Sequence, residues 1–463
     1  MKYILLLPLC LLLSFVRSFG QGDAVDLHGR QVIGRIDISG NQRARSRVIL
    51  REMAMKVGDT ISLDSTDALL QVNYQRIYNL QLFNEVQQVL TPIGGDSVVL
   101  AVDVKERWSI IPTGTLQFAD RNFNTWWVDE NHDLRRAMAG LTITDKNFRG
   151  NLESLAATVQ VGYTQKLGLA YTIPYINKKQ TSGIGISASV AQSRQTYYTT
   201  DLNKLVYVGD YSGPVMLRQT EVGINYIFRP AYASRHIWKL GYKDYHVRDT
   251  VLRLNPDYYR DGSNSARFME LSYRYEYNGT DNWNYSLEGY KIVANAVLRH
   301  GFEGINDQEY VQLEAGRYYK LAPLWYAAFT LRGRIMGPSP QPYYFRSGLG
   351  TQTDYVRGYE YYVTDGYNYG LLRFDLKRQL FKRTYTVPVR YFTAIPLRIY
   401  PKLFADAGYI NDPQPGNSRL SNRLVYSAGV GVDVVTLYDI KIRLEYAINH
   451  LGQKGLYLHF NSE

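Results

Sequence analysis

Cysteine is nearly absent from this chain of 463 residues. The one cysteine, Cys10, lies in an apolar stretch near the N-terminus. That stretch, residues 3–16, is shorter than the roughly 20 apolar residues that a membrane-spanning helix needs. It follows Lys2 and precedes the small residues Ser18 and Gly20. This pattern is typical of a secretory signal peptide, which we expect over residues 1–20. The exported protein would hold no cysteine, so we expect no disulfide bonds to stabilise it.

The rest of the chain has no long apolar run, and the mean hydropathy of the whole chain is −0.29. Its net charge of +11 would suit nucleic-acid binding in a cytosolic protein, but export excludes that partner. The 41 tyrosines far outnumber the 16 phenylalanines and 6 tryptophans. Tyrosine favours membrane–water interfaces because it has an apolar ring and a polar hydroxyl. A chain of this kind can cross a membrane only as a closed β-barrel.

Familiar catalytic and metal-binding motifs are also missing. The sequence has no G-x-S-x-G, no Walker-type G-x-x-x-x-G-K and no H-E-x-x-H, and its seven histidines are scattered. We therefore expect no enzyme activity, no metal site and no cofactor. A barrel lipase that uses His300 or His459 is the alternative that sequence leaves open.

Residues 24–106 combine helical and strand patterns. Strands are predicted over 33–41, 83–92 and 97–106. Apolar residues at helical spacing predict helices over 45–55 and 62–80. The order β-α-α-β-β indicates a small α/β domain with exposed sheet edges.

From residue 107 to 463 the pattern has a period of two. Residues 441–449, for example, place Ile442, Leu444, Tyr446 and Ile448 on one face and charged or polar side chains on the other. An apolar outer face and a polar inner face are what the wall of a transmembrane barrel requires. The number of alternating runs predicts an antiparallel β-barrel of about sixteen strands.

Two regions resemble a known superfamily. The spacing of I-x-x-I-x-I-S-G-N, V-I-x-R-E and L-F-x-x-V in residues 33–86 resembles that of a POTRA domain. The segment V-R-G-Y, 356–359, resembles the V-R-G-aromatic motif in the sixth extracellular loop of outer-membrane proteins of the BamA/TamA type. The resemblance covers nearly the whole exported chain. It implies one POTRA domain, residues 24–106, in the periplasm of a Gram-negative bacterium, and a barrel, residues 107–463, in the outer membrane.

The same resemblance implies a site inside the barrel. The family's loop folds into the lumen, where its arginine pairs with the carboxylate of an F-x-D-x-G motif. Alternation turns Phe404, Asp406 and Gly408 inward, so Asp406 could accept two hydrogen bonds from Arg357 while Phe404 stacks on the guanidinium. The loop latch is then Val356, Arg357, Gly358 and Tyr359, where Gly358 allows close approach.

One position departs from the family pattern. The family often has a glutamate two residues before the Arg-Phe of the strand that follows the loop, but Leu371 occupies that position here. Asp375 lies on the same inward face four residues later and is the candidate substitute. The alternative is that Asp375 is merely a solvated lumen charge beside Arg373 and Lys377.

The implied function is insertion or export of polypeptides without nucleotide. The barrel would open between its first strand, near residues 110–118, and its last, formed by Gly455, Leu456, Tyr457, Leu458, His459 and Phe460. Partners would be unfolded outer-membrane or exported polypeptides, outer-membrane lipid, and periplasmic proteins or lipoproteins that bind the POTRA domain. The alternatives are a solute channel gated by the loop and a structural partner of an envelope complex.

Overall fold

The computed structural model describes residues 30–94, 96–118, 137–302, 307–337, 340–350, 354–386, 394–436 and 439–460. The signal peptide predicted over residues 1–20 lies outside the described residues. None of the helices in these ranges is long and apolar enough to cross a membrane.

The N-terminal domain is a four-stranded sheet packed against two helices. Its elements are β1 (Arg30–Ser39), α1 (Ser46–Glu52), β2 (Thr60–Ser62), α2 (Leu63–Tyr78), β3 (Phe83–Gly94) and β4 (Ser97–Glu106). The sheet order is β2-β1-β4-β3, in which only β1 and β4 run parallel. The structure adds the short strand β2 to the predicted order β-α-α-β-β, because three residues are too few to display a period of two.

Helical spacing explains the core of this domain. Val48 and Ile49 of α1 and Ile77 of α2 are fully buried against Ile33 and Leu100 of the sheet. Tyr74, one turn before Ile77 on α2, is 36% exposed. It stacks on Tyr78 instead, with ring centroids 5.9 Å apart.

The remaining strands form a closed barrel with one separate hairpin. The strands are β5 (Ile110–Phe118), β6 (Ala137–Asp145), β7 (Ser154–Gly162), β8 (Thr164–Ile173), β9 (Ser182–Ser193), β10 (Gln195–Asp201), β11 (Lys204–Gly209), β12 (Leu217–Phe228), β13 (Ser234–Val247), β14 (Ser265–Asn278), β15 (Gly289–Gly301), β16 (Gln308–Ala322), β17 (Trp325–Gly337), β18 (Asn368–Arg378), β19 (Phe381–Thr386), β20 (Ala394–Asn411), β21 (Leu424–Val435), β22 (Lys441–Asn449) and β23 (Lys454–Phe460). Strands β10 and β11 pair only with each other among the described strands.

The barrel wall is sixteen strands wide. Seventeen strands contribute, but β18 and β19 pair with successive halves of β20 and so occupy one position in the wall. The ring closes where β23 lies next to β5. These two strands have 7 and 9 residues, whereas β12 to β17 have 12 to 15.

Side chains alternate across the wall as the sequence predicted. On β22, Leu444 and Ile448 are 45% and 44% exposed on the outer face, while Glu445 between them is fully buried. The outer face is therefore apolar, and the inner face carries the charges.

The two ends of the barrel differ. The N-terminal domain contacts the turns after β6, β8, β12 and β14. The opposite end carries the β10–β11 hairpin, a helix α3 (Asp249–Leu254) and a buried aromatic cluster that includes Tyr258, Tyr259 and Tyr343.

Candidate functional site

The segment between β17 and β18 passes into the lumen at the end of the barrel opposite the N-terminal domain. Val356 and Arg357 are each 2% exposed and Tyr359 is 4% exposed, so the loop latch is buried. Val356 packs with Leu371, Ile410 and Val425 of the wall. Leu371, at the position where the family often has glutamate, is thus part of an apolar contact.

Arg357 lies among three carboxylates of the barrel wall. Its Nε and Nη2 donate to the two oxygens of Asp406, at 2.9 and 2.5 Å, and its backbone N–H also donates to Asp406, at 3.1 Å. Nη1 donates to Asp375 at 2.7 Å and to Glu445 at 3.3 Å. The guanidinium carbon lies 4.1 Å from the centre of the Phe404 ring. This geometry combines bidentate pairing with cation–π contact.

A second ion-pair group continues from Glu445. Lys402 Nζ lies 2.7 Å from Glu445 and 2.6 Å from Asp433, and Lys377 lies 3.4 Å from Asp433. Lys402, Asp433 and Glu445 are each 4% exposed or less. The sequence did not single these residues out, although the alternation over residues 441–449 placed Glu445 on the polar inner face. Each carboxylate of this group, Asp433 and Glu445, therefore lies next to at least one lysine, which offsets part of the cost of burying its charge.

Three glycines make room for the loop latch and for the Phe404 ring beside it. Gly358 has φ +87°, and a Cβ there would lie 3.1 Å from the Cβ of Ala447. A Cβ on Gly408 would lie 2.7 Å from Val356, and one on Gly429 would lie 2.5 Å from Phe404. Gly358 is therefore needed both for its backbone conformation and for its closeness to the wall.

The same loop contacts the last strand. The Tyr355 ring stacks on His459, with centroids 5.5 Å apart, and Tyr361 lies 6.1 Å from Tyr457. His459 Nε2 is 3.5 Å from Glu360 and 3.4 Å from Glu445. The boundary between the first and last strands, where the barrel is predicted to open, is called the seam below. Of the other residues predicted on its last strand, Leu456 and Leu458 face outward with 52% and 50% exposure. Gly455 lies beside the Tyr457 side chain, and the Phe460 side chain lies outside the described residues.

A turn reaches the ion-pair group from the other end of the lumen. Residues 279–288 connect β14 to β15, and Tyr285 in this turn is 4% exposed. Its hydroxyl donates to Asp433 at 2.9 Å, and Lys377 Nζ lies 4.8 Å from its ring centre. The backbone N–H of Trp283, in the same turn, donates to Asn79 of the N-terminal domain at 3.4 Å. Contacts thus run from the N-terminal domain through this turn to Arg357.

The N-terminal domain is held to the barrel by a buried ion pair. Arg229, after β12, donates through Nη1 and Nη2 to the two oxygens of Glu52 at 2.6 and 2.7 Å, and both residues are at most 5% exposed. Burial alone would raise the pKa of the Glu52 carboxyl, but the charge of Arg229, its hydrogen bonds and the charge of Arg51 together hold this pKa below its ordinary value.

Metal coordination finds no support in the described part of the chain. There, no group of three or more histidine, cysteine, aspartate or glutamate side chains is arranged to hold a metal ion. The charged residues of the lumen instead pair with one another.

Two family models match this chain. The POTRA model, described as a surface antigen variable number repeat, matches residues 31–107. The model described as the Omp85 superfamily domain matches residues 147–461, more than half of the chain.

Individual proteins give more distant matches. The chain is 38% identical over 87 residues to the outer membrane protein assembly factor BamA of Neorickettsia risticii (strain Illinois), a match that covers 19% of this chain and only 11% of that protein. The structure is similar to that of BamA from Haemophilus ducreyi lacking POTRA domains 1–3, with a TM-score of 0.52, 14% identity, and coverage of 93% of this chain and 83% of that one. It is also similar to CdiB from Escherichia coli, with a TM-score of 0.54, 12% identity and coverage of 93% and 75%.

Proposed function

Because the chain belongs to the Omp85 superfamily of outer-membrane proteins, with one periplasmic POTRA domain, we propose that it inserts or exports polypeptide clients. In this proposal the barrel opens between β5 and β23, and the unpaired backbone groups of these strands bind a client strand. The process uses no nucleotide and no chemical step. The loop latch holds the seam closed until a client arrives.

One observation carries this proposal, namely that the buried loop contacts the strand at which the barrel closes. The segment that anchors Arg357 to Asp406 also places Tyr355 against His459 and Tyr361 near Tyr457. The two seam strands are shorter than the strands of β12 to β17. A short strand forms fewer ladder hydrogen bonds, so these two strands can close the wall with only a short ladder.

The POTRA domain offers a place to guide clients. Strand β3 is an edge of its sheet, and Val89 and Ile93 on this strand are 58% and 57% exposed. An edge strand can pair with an extended client or partner segment. We therefore propose that unfolded polypeptides, or a periplasmic protein or lipoprotein partner, add a strand here.

A steady solute channel fits the lumen less well. The loop latch, the ion pairs of Arg357 and Lys402, and Tyr285 from the opposite end occupy the side of the lumen lined by β18 to β22 with mutually paired side chains. This supports polypeptide handling at the wall over conduction through the centre.

Depletion of the protein, followed by quantitative proteomics of outer membranes, tests the proposal. We expect a subset of barrel proteins or exported proteins to fall while small-solute uptake is unchanged. Unchanged client levels with reduced solute uptake would favour a channel. Loss of one envelope complex alone would favour a structural partner.

A further inference from the structure

We propose that the outer face of β16 to β19, at the POTRA end of the barrel, binds anionic phospholipid head groups of the periplasmic leaflet. The observation behind this proposal is a set of three arginines that face outward among aromatic rings. They are Arg317 on β16, Arg378 on β18 and Arg383 on β19. All three are exposed.

Strand alternation places these arginines on the lipid side of the wall. Arg317 has the same parity on β16 as Val311 and Leu321, which are 55% and 59% exposed. Arg378 has the same parity on β18 as Leu372, which is 49% exposed. Within the described ranges none of the three guanidinium groups forms an ion pair. Arginines of the lumen such as Arg357 are, by contrast, surrounded by carboxylates.

Each of these arginines lies over an aromatic ring. The Arg317 guanidinium is 4.9 Å from the centre of the Tyr319 ring and 5.6 Å from that of Tyr290. Arg378 lies 5.4 Å from Trp325, and Arg383 lies 5.2 Å from Tyr385. The four rings are 39% to 42% exposed, which is typical of the aromatic girdle at the level of the head groups.

A shallow cavity lies within the same surface. The turn between β16 and β17 forms an open depression of about 410 Å³, lined by Leu321, Pro323, Leu324 and neighbours that include Lys320. The carbonyl of Leu324 accepts a hydrogen bond of 2.7 Å from the backbone of Gln379, which holds this turn beside Arg378. A largely apolar depression beside Arg378 fits the boundary between a phosphate and its acyl chains.

The depth of the three arginines in the membrane indicates which ligand is available to them. The POTRA domain contacts turns at this same end of the barrel, so the arginines face the periplasmic leaflet. A positive charge on the lipid face is unfavourable at the bilayer midplane but is stabilised near an interface where phosphate is available. Phosphate charge, aromatic rings and apolar lining together match an anionic glycerophospholipid.

Native mass spectrometry of the full-length protein in detergent tests this site, with phosphatidylglycerol and phosphatidylethanolamine added in equal amounts. The test variant is R317Q/R378Q/R383Q. The matched control is K204Q/R218Q/K454Q, which removes three exposed positive charges at the opposite end of the barrel. Retention of heat-dependent gel migration shows that each barrel is folded.

We expect the wild type and the control to retain phosphatidylglycerol preferentially and the test variant to lose this preference by about a hundredfold, since three cations that each contribute roughly fivefold in affinity near an anionic head group are removed together. The conservative variant R317K/R378K/R383K should keep most of the preference. Equal retention of phosphatidylglycerol by the wild type and the test variant would overturn the proposal. Equal loss in test and control variants would also overturn it, since the effect would then be one of net charge.

Discussion

Arg357 and Asp406 form a bidentate ion pair that joins a buried loop to the barrel wall, with the two closest contacts at 2.5 and 2.9 Å. The pair is enclosed, because both residues are at most 3% exposed. A buried pair of this kind gives modest net stability, but the loss of one partner leaves a costly unpaired charge. Its consequences are therefore best measured by removing each partner alone and then both.

The variants Arg357→Ala and Asp406→Ala should each lower the free energy of unfolding by about 3 kcal/mol, since either removes one side of the buried bidentate pair and leaves the other charge without its closest partner. The double variant should lose less than the sum by about 1 kcal/mol or more. Urea unfolding of the refolded barrel in lipid vesicles measures all three. Strictly additive losses would contradict the contact.

Gly358→Ala should destabilise the loop more than Gly452→Ala does. Both glycines have positive φ, +87° and +76°, but only Gly358 lies against the wall, whereas a Cβ on Gly452 would have no neighbour within 4 Å. The difference between the two variants therefore isolates the close approach to Ala447. We expect it to exceed about 1 kcal/mol, as overpacking of a filled site does. Equal unfolding midpoints would show that the loop is not tightly held.

Tyr285→Phe should weaken the link between the POTRA end and the ion pairs of the lumen. It removes the hydroxyl that donates to Asp433, and a hydrogen bond to a charged group contributes about 1.5–3 kcal/mol. Tyr326→Phe is the matched control, because Tyr326 lies in the same buried cluster. Thermal unfolding of the two variants gives the comparison, and a control that loses as much as Tyr285→Phe would argue against a specific role for this hydrogen bond.

Docking of the POTRA domain should depend on pH. The pKa of Glu52 is lowered in the folded protein from its ordinary value of 4.5. The pair with Arg229 therefore contributes its full stability above about pH 4.5, and this contribution is lost as the pH falls further. Since the exported chain is predicted to lack cysteine, spin labels at Arg35→Cys and Lys178→Cys can report the distance between domain and barrel.

We expect one narrow distance distribution at pH 6.5 and a broader one near pH 3.5. The variant Glu52→Gln should be broad at both values, whereas Glu85→Gln, which affects an exposed pair with Lys105, should behave as the wild type does. A narrow distribution for Glu52→Gln at pH 6.5 would refute the role of this carboxylate in docking.

Features set by neighbouring residues along one strand could be predicted from the sequence, whereas contacts between distant parts of the chain could not. Alternation on single strands placed Phe404, Asp406 and Glu445 inward, because side-chain direction is a local property of a strand. The pairing of Glu445 with Lys402 was not predicted, since it depends on the register between β20, β21 and β22. That register arises from the whole wall and leaves no local pattern.

Contacts between the POTRA domain and the barrel could not be predicted from the sequence either. Glu52 ends the V-I-x-R-E segment at residues 48–52, but its partner Arg229 lies 177 positions away and outside any motif that was identified. The position of Tyr285 inside the lumen was not predicted, because a polar turn of ten residues has the composition of an exposed connection. The resemblance to the family covered the loop and its aspartate but did not indicate which residues would form these contacts.

The central claim is that clients fold at a seam that the loop controls. The most direct measurement is the rate at which vesicles carrying this protein fold a urea-denatured eight-stranded outer-membrane barrel. Cysteines at Tyr361 and Tyr457, whose ring centroids are 6.1 Å apart, allow a short reducible cross-linker to fix the loop to β23. Cysteines at Thr196 and Val208, paired in the β10–β11 hairpin, provide the control.

We predict that the loop cross-link stops client folding, that reduction restores it, and that the hairpin cross-link has no effect. Undiminished client folding by the fully cross-linked loop variant would contradict the account.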